Sequence, residues 1–199
     1  MAAQKIKTAI LISGRGSNMM ALVEAAQLET YPAEIVGVIS NRPGAAGLEK
    51  AQALNVPTAI IDHKDYETRE SFEQALHKQL ISVNAELVCC AGFMRVLTPW
   101  FVSNWKGRLL NIHPSLLPKY KGLKTHQRAI EAGDTETGCS VHWVTEDLDA
   151  GAVILQDSVQ IMPDDTADLL AARLLPVELS LYPQALSKVA SQMQTMLNP

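Results

Sequence analysis

Short apolar runs alternate with helical patterns through the first half of this 199-residue chain, and that alternation restricts the fold more than any other feature. The runs at 7–13, 34–40, 58–61, 86–91 and 108–112 read as strands, and several contain no polar alternation, as strands buried on both faces do. Between them, 18–28, 45–54 and 66–81 space their apolar residues for helices; Met19, Leu22, Val23 and Ala26 form one such stripe. A β-α-β-α order predicts an α/β fold. Its sheet is Rossmann-like and mostly parallel, with helices on both faces, because right-handed crossovers place them there. After residue 113 the pattern changes to a Pro- and Lys-bearing loop over 114–124 and a short helix over 125–132. Strands at 139–144 and 153–161 then flank the turn TEDLDAG and add an antiparallel C-terminal region. Residues 168–196 read as mostly helical, with Pro176 and Pro183 required to break or kink them. With no internal repeat or linker, one domain is expected over 1–199.

Charge narrows the partners. Seventeen basic against twenty-one acidic residues give a formal charge of −4, which argues against a nucleic-acid binder but leaves room for a local anion pocket. Cys89, Cys90 and Cys139 show neither a disulfide framework nor zinc-ligand spacing, and read as buried thiols of a reducing compartment. The five histidines show no ligand spacing either, so no metal is expected. No stretch approaches the roughly 18 apolar residues of a membrane span. The first apolar run leads straight into a glycine turn rather than a cleavage site, so it reads as a strand and the expected location is cytoplasmic.

In such sheets ligands bind beyond the C-terminal strand ends, so residues 14–18, 40–42, 92–97 and 111–113 are expected to meet on one edge. The first of these, ISGRGSN, offers backbone N–H groups at a helix start to an anion, and Ser17 and Asn18 either add donors or cap the helix. A third glycine and a carboxylate at the end of the second strand are missing, which argues against a dinucleotide. Asn111 and His113, two apart on a strand, project from one face and suit polarisation of a carbonyl; a structural pair capping a turn is the other reading. Asp149 can orient His113 or relay a proton, or belong with Glu146 and Asp147 to a solvated acidic turn. No nucleophile elbow supports a Ser-His-Asp mechanism, and the spacing of Cys139 and His142 puts them on opposite faces of a strand.

Taken together and in order, ISGRGSN, SNRPGAAGLEKA, AGFMRVL, LLNIHPSLLPKYKG, GCSVHWVTEDLDAG and VILQ resemble the glycinamide ribonucleotide formyltransferases. These folate-dependent enzymes of purine biosynthesis use 10-formyltetrahydrofolate as co-substrate, and the likeness spans roughly residues 6–185. The resemblance implies that Asn111 and His113 hold the formyl oxygen and that Asp149 partners His113 and a proton-carrying water. It further implies Gly16, Ser17 and Asn18 on the ribonucleotide phosphate and Glu178 near the ribose. Met94, Arg95, Val96 and Leu97 would line the folate pocket, with Arg69 near the folate tail. By residue type alone, Met94, Val96 and Leu97 equally suit a core, and Arg69 a solvated helix. Around Glu178 the chain departs from the family's usual Glu-His pair, having Leu179, and Pro176 lies just upstream. The expected division is a phosphate- and nucleotide-binding half over 6–105 and a catalytic and folate-binding half over 106–199. The implied partners are the two small-molecule substrates, with the protein a monomer or homodimer. The competing activities are formyltetrahydrofolate hydrolase and sugar-nucleotide formyltransferase. Methionyl-tRNA formyltransferase would call for a further C-terminal domain and a basic surface. A nonenzymatic nucleotide- or folate-binding module would need the glycine turn but not the three polar residues.

Overall fold

The computed structural model describes residues 4–197, so residues 1–3 and 198–199 of the domain expected over 1–199 lie outside the described residues. The chain runs β1 (Ile6–Ile12), α1 (Ser17–Ala26), β2 (Ala33–Ser40), α2 (Ala46–Ala53), β3 (Thr58–Ile60), α3 (Arg69–Ser82) and β4 (Leu87–Cys90). It continues with α4 (Pro99–Asn104), β5 (Leu109–His113), α5 (Thr125–Glu131), β6 (Glu136–Trp143), β7 (Val153–Gln160) and α6 (Ala167–Leu197). All seven strands form one sheet in the order β3-β2-β1-β4-β5-β6-β7. The first five pair in parallel, whereas β6 and β7 join antiparallel. Strand order reverses between β1 and β4, and the crevice opened by such a reversal is where ligands of these folds bind.

Side-chain alternation along the strands builds a core on each face. Ile10, Ile12 and Cys89 face one side, where they pack with Met19 and Leu22 of α1 and Leu174, Leu186 and Val189 of α6. Ala9, Leu11 and Cys90 face the other, against Phe72, Leu76 and Leu80 of α3 and Phe101 of α4. The adjacent cysteines therefore sit in different cores, as a strand requires, and all three cysteines are free and buried.

Three features differ from the expectation. The helix α6 runs unbroken through Pro176 and Pro183, so neither proline ends it. Buried Leu174, Leu181, Tyr182, Ala185, Leu186 and Val189 recur along it at helical spacing. Tyr182 also donates its phenolic O–H to the Cys90 carbonyl at 3.1 Å, tying the helix to the sheet. Burial of that stripe offsets the hydrogen bonds that two prolines remove, and packing prevails over propensity. The second difference is α4, whose six residues are too few to display a 3.6-residue period, although Thr98 caps it and Pro99 opens it. Third, β6 begins at Glu136, three residues ahead of the expected strand.

Candidate active site

At the end of β1 the chain turns through Gly14–Gly16 into α1. Gly16 has φ 73°, and a Cβ there would lie 2.7 Å from the Gly47 Cα, so both backbone conformation and the approach of α2 demand glycine. No side chain caps α1, which decides against the capping role for Ser17 and Asn18 and leaves the first-turn N–H groups without a side-chain cap. Asn18 instead donates from Nδ2 to Glu178 Oε2 at 2.8 Å. Its buried Oδ1 has no hydrogen-bond partner. Burial raises the Glu178 carboxyl above its ordinary value, partly offset by the Asn18 bond.

Between the ends of β1, β4 and β5 lies a cavity of about 630 Å³ whose walls include Asn18, Asn111, His113, Asp149 and Glu178. Met94, Arg95, Val96 and Leu97, in the loop after β4, line it as well. Met94 and Val96 are 60% and 55% exposed, so they are not core residues; their apolar surface faces a space that a ligand can fill. The cavity thus draws on residues on both sides of position 106. Gly16 and Ser17 stand beside it at the start of α1, with Ser17 on an adjoining open cleft that includes Lys50. Arg69 is exposed at the start of α3 and is not among the residues lining the cavity.

The polar centre is a chain of short contacts. Asp149 Oδ2 lies 3.4 Å from His113 Nδ1, with the two side chains only 9% and 7% exposed. Glu146 and Asp147, by contrast, are exposed, so Asp149 is set apart from the solvated acidic turn. Asp149 has φ 48°, a left-handed conformation that Asp tolerates better than most residues. The Gly122 N–H donates to its Oδ2 at 2.9 Å, fixing the carboxylate from the loop opposite. His113 Nε2 lies 2.9 Å from the Tyr120 carbonyl. A carbonyl only accepts, so Nε2 carries a proton, and Nδ1 on the other side of the ring faces Asp149.

His142 completes the centre, and the sequence reading gave it no part. Its Nδ1 donates to the Trp143 carbonyl at 2.9 Å. Burial holds the imidazole below its ordinary pKa, against the opposing effects of that bond and of Asp149, and keeps it neutral near pH 7. Nε2 is then a lone-pair acceptor, and the Asn111 Nδ2 lies 3.2 Å from it. The bond sets which end of the Asn111 amide faces His142 and leaves the second amide N–H for another acceptor. Register was the available signal: Asn111 pairs directly with His142 across β5 and β6, and directly paired residues share a face. The thiols offer no alternative nucleophile, since burial pushes Cys139 up to about 12. Among the described residues no group of three or more His, Cys, Asp or Glu side chains is arranged to hold a metal ion.

A β5 amide, a carboxylate–histidine pair and a helix N-terminus around one apolar-walled cavity suit group transfer between a carbonyl-bearing ligand and an anionic one. Among known proteins, the family model described as formyl transferase matches residues 6–186. Phosphoribosylglycinamide formyltransferase of Haemophilus influenzae is 44% identical over 177 residues, covering 89% of this chain and 84% of that protein. The crystal structure of the enzyme of that name from Brucella melitensis superposes with a TM-score of 0.90 at 46% identity, covering 94% of this chain and 96% of that one. A trifunctional purine biosynthetic protein adenosine-3 of Chironomus tentans is 51% identical, and this chain spans only 14% of its length. The chain belongs to the formyl transferase family, in the branch of the phosphoribosylglycinamide formyltransferases.

Proposed function

We propose that the chain transfers the formyl group of 10-formyltetrahydrofolate to the primary amine of glycinamide ribonucleotide, with its own residues in the roles that follow. The observation that carries the reading is the cluster of Asn111, His113 and Asp149 on the wall of one cavity, beside the glycine turn of α1. The nucleotide's phosphate sits on the N–H groups at Gly16, Ser17 and Asn18, where a helix N-terminus favours negative charge. Its ribose hydroxyls meet Glu178 and the free Oδ1 of Asn18. The folate ring system lies against Met94, Val96 and Leu97, with the backbone of Arg95 and Leu97 reading its polar edge, and its tail extends toward Arg69.

The amine attacks the formyl carbon and the carbonyl oxygen gains negative charge. The second Asn111 N–H, free of His142, donates to that oxygen. His113 joins it once the Tyr120 carbonyl gives up the Nε2–H to the formyl oxygen, and Asp149 orients the ring from the Nδ1 side. A water held by Asp149 takes a proton from the attacking nitrogen and delivers it to the departing folate nitrogen. The C–N bond to folate then breaks, giving formylglycinamide ribonucleotide and tetrahydrofolate. Holding both reactants together contributes several kcal/mol, up to about 7–11 in ideal cases. No covalent enzyme species is needed, which agrees with protonated buried thiols. Those free thiols also suit the reducing cytoplasm as a setting.

Replacing Asn111 by Ala tests the assignment. It removes the donor to the oxyanion and should lower turnover on the order of 10²–10³-fold, with the Michaelis constants of both substrates changed far less. Turnover near that of the unaltered enzyme would remove Asn111 from the mechanism.

A further inference from the structure

The loop that carries Met94–Leu97 has no regular secondary structure, yet buried side chains from elsewhere in the fold grip it at two points. At its start, the Met94 N–H donates to Ser13 Oγ at 2.8 Å. Ser13 is 4% exposed and gives its own proton to Asn41 Oδ1 at 2.6 Å, which leaves a hydroxyl lone pair for Met94. Asn41 is itself 2% exposed and is held by His63, whose Nδ1 lies 2.9 Å from the Asn41 carbonyl. At the loop's end, the Thr98 N–H donates to Glu73 Oε1 at 2.9 Å, and the Thr98 hydroxyl bonds the other carboxylate oxygen. Glu73 is 1% exposed in the second turn of α3, next in sequence to Phe72 of one core. A buried carboxylate is costly unless hydrogen-bonded, and its two oxygens both bond to this one loop residue. Neither Ser13 nor Glu73 lines the cavity.

We infer that Ser13 and Glu73 are positioning residues for the co-substrate: they clamp the two ends of the 94–98 segment and so set the wall against which the folate rings pack. Rigid support of this kind lowers the ordering needed when a ligand binds, so its loss weakens binding without touching the reacting atoms. The asymmetry is specific. The proposed nucleotide contacts lie on Gly16, α1 and α6, outside the clamped segment, so the effect on KM falls on one substrate only. The inference rests on the reading that folate occupies this wall.

Two variants, Ser13→Ala and Glu73→Gln, test it in the full chain with 10-formyltetrahydrofolate and glycinamide ribonucleotide. Each removes or weakens about one hydrogen bond, so KM for 10-formyltetrahydrofolate should rise about five- to tenfold. The glycinamide ribonucleotide KM and kcat should stay within about threefold. Hydrogen exchange of the Met94 and Thr98 amides, measured on the free protein, should quicken in the matching variant. Ser13→Ala, a small buried change, keeps the test open if Glu73→Gln fails to fold. Quickened exchange with an unaltered folate KM would overturn the positioning role, and unaltered exchange would overturn the clamp itself. If the unaltered protein shows no saturable dependence on 10-formyltetrahydrofolate, the functional reading fails instead, whatever the exchange results.

Discussion

Asn111 is partly buried in the middle of β5, and the donor role proposed for it depends on which way its amide points. His142 decides that, because a neutral ring bonded through Nδ1 to Trp143 has only an acceptor left to offer at Nε2. Replacing His142 by Phe keeps the ring's bulk and deletes the acceptor, freeing the amide to turn. A loss of about 1–1.5 kcal/mol, roughly tenfold in kcat, is expected, with KM values little changed. Acid should mimic the variant, since protonation at Nε2 replaces the acceptor by a donor. The unaltered enzyme's kcat should therefore fall as pH drops below the ordinary histidine value, and that limb should flatten in the Phe variant. An identical acid limb in both would show that another group titrates. Asn111, His113 and Asp149 were legible in the sequence because each sits in a distinctive short motif. His142 was not, since its relation to Asn111 exists only through strand pairing.

At the scale of elements, the glycine turn is where sequence and geometry agree most closely. Gly16 combines a positive φ with a Cβ position 2.7 Å from Gly47 Cα, whereas Gly14 has no atom within 4 Å of its Cβ position. Gly16→Ala should destabilise the protein by about 1–3 kcal/mol and raise KM for the nucleotide, while Gly14→Ala should change stability by under about 0.5 kcal/mol. Denaturant unfolding of both variants checks the contrast, and equal losses would refute the close-approach account. Before residue 113 the strands were readable as short apolar runs, and α1, α2 and α3 as helices long enough to show their period. The helix α4 was not, having six residues, and the continuity of α6 was not, because nothing local to Pro176 reports the sheet that Tyr182 grips.

For the whole molecule, convergence at the strand order's reversal makes separate motifs one site. Residues 18, 111, 149 and 178 share a cavity although the chain between them spans most of the fold. That convergence followed from the β-α-β-α pattern, but its contents did not. Arg69 was implied by the resemblance alone and lies outside the cavity wall, and Glu178 reaches the wall through a helix that two prolines argue against. Assembly at this scale also leaves a signature in pH. The folded-state pKa of Glu178 is raised by burial, so its contribution to stability is fully present below the unfolded value of about 4.3 and is lost as pH rises through the folded value. Glu178→Gln, which cannot ionise, should gain in thermal stability relative to the unaltered protein between about pH 4 and 7, and a relative loss over that range would contradict the buried-carboxyl account. The most direct test of the central claim follows 10-formyltetrahydrofolate consumption by the purified protein with and without glycinamide ribonucleotide. Consumption that depends on the ribonucleotide, with one formylated amine formed per tetrahydrofolate released, is the predicted result. Loss of formyl at the same rate without the amine would mean hydrolysis, and would contradict transfer.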